Sequence, residues 1–169
     1  MCGFIVSSKT FSLDKLRQIS KEFISYRGTL EEKIISTENL YFSFKRLPIV
    51  DVSNNSNQPY QWQGHSIVFN GEIYNYKNIK RELETKYQIK FEGNSDVEVF
   101  LKGFLHFGPK TFFEKANGMW AYVIEDNEKN IYWGRDQFGI KPLYFSFKDQ
   151  NIHLSSSLPA LNTIMQNRK

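Results

Sequence analysis

Apolar residues recur along this chain at two spacings, and the switches between them mark its elements. After Cys2-Gly3, the run Phe4-Ile5-Val6 is continuously aromatic or β-branched, which predicts a buried strand at the very start. Leu13, Leu16, Ile19, Phe23 and Ile24 then recur at helical spacing, the repeat of a helix face. Ser12 is its N-cap, and the helix is predicted to reach about Tyr26, with Gly28 as a left-handed stop. Residues 33–36 and 40–44 read as a strand pair joined across Thr37-Glu38-Asn39. Pro48 forbids a regular central strand, so residues 46–51 are predicted to form an extended turn with free backbone groups. Residues 51–63, rich in Asn, Ser, Gln and Pro, read as a surface loop.

Residues 66–69 form a short apolar strand that runs into Asn70-Gly71. That pair ordinarily makes a hairpin turn, yet no second strand follows at once. Instead Ile79, Leu83 and Tyr87 share one face of a helix over 76–87. Ser95 and Glu98 have the spacing of a capping box, opening a helix through Val97, Phe100, Leu101, Phe104 and Leu105. It stops near Gly108-Pro109, and a short helix covers 109–114. The remainder is mostly strand: 119–125 and 131–134 around a polar turn, then 143–147 and 152–156 around another, with a final short helix from Ser157 or Leu158. Strands, then helices, then strands with hairpin connections predict an α+β layer design of antiparallel sheets with segregated helices.

Composition narrows the function classes. The 169 residues make one domain's worth of chain, with 15 Phe among them for a sizeable core. The net charge of +4 is spread among interspersed acids and bases, so nucleic-acid binding gains no support. One cysteine makes neither an internal disulfide nor a cysteine-rich metal site, which fits a reducing compartment. There is no basic, then apolar, leader and no apolar run of membrane length, so no membrane partner and a cytoplasmic location are expected. His65, His106 and His153 lack metal-ligand spacing.

The candidate chemistry lies at the front. Cys2 becomes N-terminal when Met1 is removed, placing a thiol and an α-amine on one residue. A thiol of ordinary acidity is only a few per cent ionised at neutral pH, and the adjacent amine is the nearest base for its proton. A lone cysteine is also an ordinary small buried residue, so the position alone does not decide.

Further segments decide more: Arg46-Leu47-Pro48-Ile49-Val50-Asp51, Asn70-Gly71-Glu72-Ile73-Tyr74-Asn75, Ser95-Asp96, and the stretch from Gly134-Arg135-Asp136 to Pro142-Leu143-Tyr144. With Met1-Cys2-Gly3 they make the chain resemble the glutaminase domain of the class II glutamine amidotransferases, which are N-terminal nucleophile (Ntn) hydrolases. The Glu-Ile-Tyr-Asn tail after Asn70-Gly71 is similar to the asparagine synthetase branch. The resemblance spans essentially the whole chain. It implies a four-layer αββα sandwich, two antiparallel sheets between helices, and a single glutaminase domain over residues 1–169.

It also implies roles. Cys2 is the nucleophile, with its own α-amine as base. The Asn70 side chain and the Gly71 N–H form the oxyanion hole. Arg46 takes the substrate carboxylate, Glu72 and Asp96 its ammonium group, and backbone groups of Leu47, Ile49 and Val50 complete the cradle. The substrate is L-glutamine, hydrolysed to glutamate and ammonia without metal or organic cofactor. ATP and magnesium are expected only in a synthetase domain or subunit that receives the ammonia. Gly134-Arg135-Asp136 is expected to be a structural turn with an ion pair.

The chain departs from the family at Tyr26-Arg27-Gly28-Thr29-Leu30, where His-Arg-Gly-Pro-Asp is usual, and at Phe44, where a histidine is usual. It also lacks a synthetase phosphate loop, which leaves open an excised domain or a free-standing glutaminase. Two other readings stay open at this point: an Ntn hydrolase acting on a different amide, and a catalytically silent glutamine-binding or scaffolding domain.

Overall fold

The computed structural model describes residues 2–48 and 57–166. Its elements follow in the order β1 (Gly3–Ser8), α1 (Leu13–Phe23), a 3₁₀ turn (Ser25–Arg27), β2 (Lys33–Ser36), β3 (Leu40–Lys45), β4 (Tyr60–Trp62), β5 (His65–Ile73), α2 (Tyr76–Tyr87), α3 (Asp96–Phe107), α4 (Pro109–Lys115), β6 (Gly118–Glu125), β7 (Ile131–Arg135), β8 (Tyr144–Lys148), β9 (Asn151–Ser155) and α5 (Leu158–Gln166).

The strands make two antiparallel sheets, ordered β2-β3-β1-β9-β8 and β4-β5-β6-β7. Because side chains alternate across a strand, each sheet feeds two cores. Phe4, Val6, Phe42 and Phe44 of the first sheet meet Val68, Ala121 and Val123 of the second between the sheets. On the outer face of the first sheet, Ile5 packs with Leu16 and Ile19 of α1 and Ala160 and Ile164 of α5. On the outer face of the second, Ile67, Phe69 and Tyr122 pack under Leu83, Phe100 and Phe112 of the other three helices. Helix, sheet, sheet, helix is the expected αββα order.

Several local expectations are corrected. α1 is capped by Ser12, whose Oγ accepts from the Lys15 N–H, but it ends at Phe23 and gives way to the 3₁₀ turn. Gly28 is then extended, with φ −151° and ψ 160°, and is no left-handed stop. Its reason is steric: a Cβ there would overlap the carbonyl of Arg46. Asn70-Gly71 is no turn either; β5 runs straight through it to Ile73, with Gly71 opposite Trp120. A Cβ on Gly71 would overlap the Met119 carbonyl, so glycine here permits a close strand approach.

The predicted loop over 51–63 hides β4, which turns into β5 through Gln63 and Gly64, both at positive φ. Ser95 caps α3, its Oγ accepting from the Glu98 N–H. The Glu98 carboxylate, however, reaches the amides of Glu92 and Gly93.

Candidate active site

β1 is flanked on both sides, by β3 and β9, so its first residues are held from two directions. The Phe4 N–H donates to Ser156 Oγ at 2.9 Å. Just before the strand, the Cys2 carbonyl accepts from Arg27 Nε at 3.1 Å, and Arg27 Nη1 donates to the Ser156 carbonyl at 3.1 Å. The 3₁₀ turn, the start of β1 and the end of β9 are thereby tied together at Cys2. Its sulfur is half-buried, accepts from the Leu47 N–H at 3.3 Å and lies 3.6 Å from the Leu47 carbonyl. Burial pushes the thiol pKa up, while the Leu47 amide and the Arg46 charge pull against that rise.

Arg46 leaves the end of β3 and is buried. Its main chain is clasped by the segment after Gly28: the amides of Thr29 and Leu30 both donate to its carbonyl, at 3.0 and 3.2 Å. Proline, usual in the family where Thr29 stands, has no N–H to give. The Arg46 guanidinium donates from Nη1 to Asn57 Oδ1 at 2.9 Å. Asn57 carried no signal in the sequence. Ile49 and Val50, expected in the cradle, lie outside the described residues.

β5 supplies the opposite wall. Its alternation turns Asn70 and Glu72 to the inter-sheet face with Val68. Asn70 is 2% exposed, and its Nδ2 finds no acceptor among the described residues. Such an orphan donor is unusual in a folded protein.

The backbone of β5 adds a second donor. Both main-chain groups of Trp120 turn to Asp136: its carbonyl accepts from the Asp136 N–H at 2.9 Å and its N–H donates to Asp136 Oδ2 at 3.1 Å. Trp120 and Gly71 therefore face each other as a non-bonded pair, and the amides of Phe69, Gly71 and Ile73 point the other way. Gln58 Oε1 takes the Phe69 amide at 2.6 Å and Asp96 Oδ2 takes the Ile73 amide at 3.2 Å. Between them the Gly71 N–H faces the same open edge, beyond the end of β4.

Asp96 opens α3 and is buried at this edge. Burial pushes its carboxyl pKa up to about 6, against the Ile73 amide and with a further push from the Glu72 charge. The charges of Arg46 and Asp96 act on the Cys2 thiol in opposite directions. The structure thus gathers Cys2, Arg46, Leu47, Asn70, Gly71, Glu72 and Asp96 at one end of the inter-sheet space. The charges of Arg46 and Asp96 act on one thiol, and the Asn70 donor lies on the inter-sheet face against which Cys2 packs, which is chemistry for holding a zwitterion beside a nucleophile.

Gly134-Arg135-Asp136 stands apart, and its expected ion pair does not form among the described residues. The Asp136 carboxylate accepts from the amides of Trp120, Phe138, Ile140 and Lys141, while Arg135 donates to the carbonyls of Gly139 and Lys141. Among the described residues no group of three or more His, Cys, Asp or Glu is placed to hold a metal ion. No helix of the described chain is long and apolar enough to cross a membrane.

The chain is 35% identical over 170 residues to asparagine synthetase [glutamine-hydrolyzing] 1 of Bacillus subtilis, covering 95% of this chain and 26% of that protein. It is 32% identical over 161 residues to asparagine synthetase B [glutamine-hydrolyzing] of Escherichia coli, covering 94% and 28%. Among solved structures, the glutamine phosphoribosylpyrophosphate amidotransferase of B. subtilis superposes with a TM-score of 0.76 at 16% identity, over 98% of this chain and 44% of that one. That likeness is one of fold: the two chains share the same sandwich. Residues 1–169 match the family model of the glutamine amidotransferase domain, and the chain belongs to that family.

Proposed function

We propose that this chain is a glutaminase of the amidotransferase type, hydrolysing the side-chain amide of L-glutamine and delivering ammonia to a synthetase domain or subunit. The observation that carries the reading is the orphan Nδ2 of Asn70 on the face that also receives Cys2. An unpaired buried donor is costly in a resting protein and useful where negative charge appears during a reaction.

In this reading Met1 is removed and the α-amine of Cys2 takes the thiol proton. The need for a base follows from the raised thiol pKa. The thiolate adds to the amide carbon, and the oxyanion is met by Asn70 Nδ2 and the Gly71 N–H. The C–N bond breaks as the α-ammonium returns its proton to the leaving nitrogen, giving ammonia and a thioester. Water, deprotonated by the same amine, then releases glutamate and restores the thiol.

Arg46 holds the substrate carboxylate, Asp96 and Glu72 hold the ammonium, and backbone groups of Leu47, Ile49 and Val50 line the cradle. The hydrolysis needs no metal or organic cofactor; ATP and magnesium belong to the synthetase partner. A single glutaminase domain over 1–169 and a cytoplasmic location complete the proposal.

The test is intact mass before and after 6-diazo-5-oxo-L-norleucine, an alkylating glutamine analogue. The expected result is a mass lacking Met1 that gains one adduct, and none in Cys2→Ala. Glutamine hydrolysis retained by Cys2→Ala would overturn the mechanism.

A further inference from the structure

Behind Asp96 lies a charged pair that the proposed mechanism does not use. Glu98 and Lys102 sit one turn apart on α3, 0% and 2% exposed, with Lys102 Nζ 2.6 Å from Glu98 Oε1. Burying two charges costs several kcal/mol per ion before their attraction is counted, so such a pair is weak support for stability by itself. Its other contacts show what it holds.

The segment between α2 and α3 leads directly into Asp96. Glu98 accepts its amides at Glu92 (2.9 Å) and Gly93 (3.0 Å). Lys102 donates to its carbonyl at Lys90 (2.7 Å). The Lys102 ammonium lies over the rings of Phe91, in the same segment, and Trp62 of β4, at 4.9 and 5.0 Å. The pair therefore grips three main-chain groups and one ring of the segment immediately before Asp96. Asp96 in turn contacts β5 through the Ile73 amide.

We infer that Lys102 and Glu98 are positioning residues that fix Asp96 at the mouth of the pocket, where it meets the substrate's ammonium group. The inference rests on the glutamine reading for its functional half. An ammonium contact made equally in ground and transition states changes KM and leaves kcat alone. A loosened carboxylate therefore weakens glutamine binding without slowing the acylation chemistry at Cys2.

The test compares wild type, Lys102→Met and the double variant Glu98→Gln/Lys102→Met, which removes both charges while nearly keeping side-chain volume. Two readouts are taken well below each melting midpoint: kcat and KM for glutamine, and hydrogen exchange at the Ile73 amide with Val68 as an internal reference. The expected result is a KM raised on the order of tenfold or more at unchanged kcat. Ile73 exchange should be faster while Val68 stays protected, in both variants.

Should Lys102→Met fail to fold, the double variant gives the reading. A lowered melting temperature with KM and Ile73 exchange both unchanged would make the pair structural only and overturn the inference. If wild type hydrolyses no glutamine, the functional reading fails separately, and Ile73 exchange still decides whether the pair fixes Asp96.

Discussion

The Leu47 N–H donates to Cys2 Sγ across 3.3 Å, so the residue after Arg46, the proposed carboxylate ligand, is also a direct partner of the candidate nucleophile. On the proposed function, substrate recognition and nucleophile orientation therefore share one stretch of backbone. That stretch is fixed by the clasp of Thr29 and Leu30 on the Arg46 carbonyl. Removing one clasp bond by Thr29→Pro should cost about 1 kcal/mol of stability. Because Arg46 and Leu47 move together, KM for glutamine should rise and alkylation of Cys2 should slow. Parallel melting and kinetic measurements check both.

Gly28→Ala is expected to be more severe. Its Cβ would overlap the Arg46 carbonyl, a backbone atom that cannot swing aside as a side chain can. Displacing Arg46 shifts both the guanidinium that would bind the substrate carboxylate and the adjoining Leu47 amide that holds Cys2 Sγ, so binding and the orientation of the nucleophile fail together. Glutamine hydrolysis should fall by at least about 10²-fold at saturating and subsaturating substrate alike. Circular dichroism on the same sample separates this from unfolding.

Asn70→Ala should lower kcat by ~10²–10³ with little change in KM, the typical loss for one oxyanion donor. Its effect on stability should be small for a buried polar residue, because its Nδ2 has no hydrogen bond to lose among the described residues. A large fall in melting temperature with kcat unchanged would assign Asn70 a structural role instead.

Asp96 gives a pH signature. Its carboxyl titrates near 3.8 in the unfolded chain and near 6 when folded, chiefly because of burial. Between those values the folded state keeps a proton that the unfolded state has lost. Stability is therefore greatest below the lower value and falls as pH rises toward about 6, by roughly 3 kcal/mol in all. Asp96→Asn removes that fall and should melt higher than wild type at pH 8. The same variant should bind glutamine poorly, and wild-type kcat/KM should climb with pH through about 6 as the carboxylate ionises. Melts at pH 4 and 8, with a kinetic pH profile, check the pair of outcomes.

Local rules read most of the elements. Ser12 and Ser95 cap the helices their spacing announces, and the apolar repeats of α1 and α3 face the cores as expected; in α2 Ile79 and Leu83 do so, while Tyr87 is exposed. What escaped them is non-local. Asn70-Gly71 has the composition of a turn, and only its partner strand, β6, far along the chain, makes it strand interior. Gly28 looks like a helix stop because the carbonyl it must avoid, that of Arg46, belongs to another element. β4 has three residues and no apolar run, so only its pairing with β5 defines it. The candidate site residues are named by a family pattern of residue types. The orphan amide of Asn70, the open edge at Gly71 and the Asn57 contact to Arg46 needed the fold.

The place of β1 has a consequence for how the protein is made. The strand that follows Cys2 is synthesised well before one of its two neighbours, β9, which lies at the other end of the domain. Pairings so distant along the chain form late, because the intervening loop must be closed before any contact rewards it. On the ribosome the front of the chain has to wait, with the Ser156 hydroxyl that will receive the Phe4 amide still 152 residues away. A chain that lacks β9 thus carries its thiol without one wall of its surroundings, and on the proposed function the glutaminase site is assembled only once β9 has paired with β1.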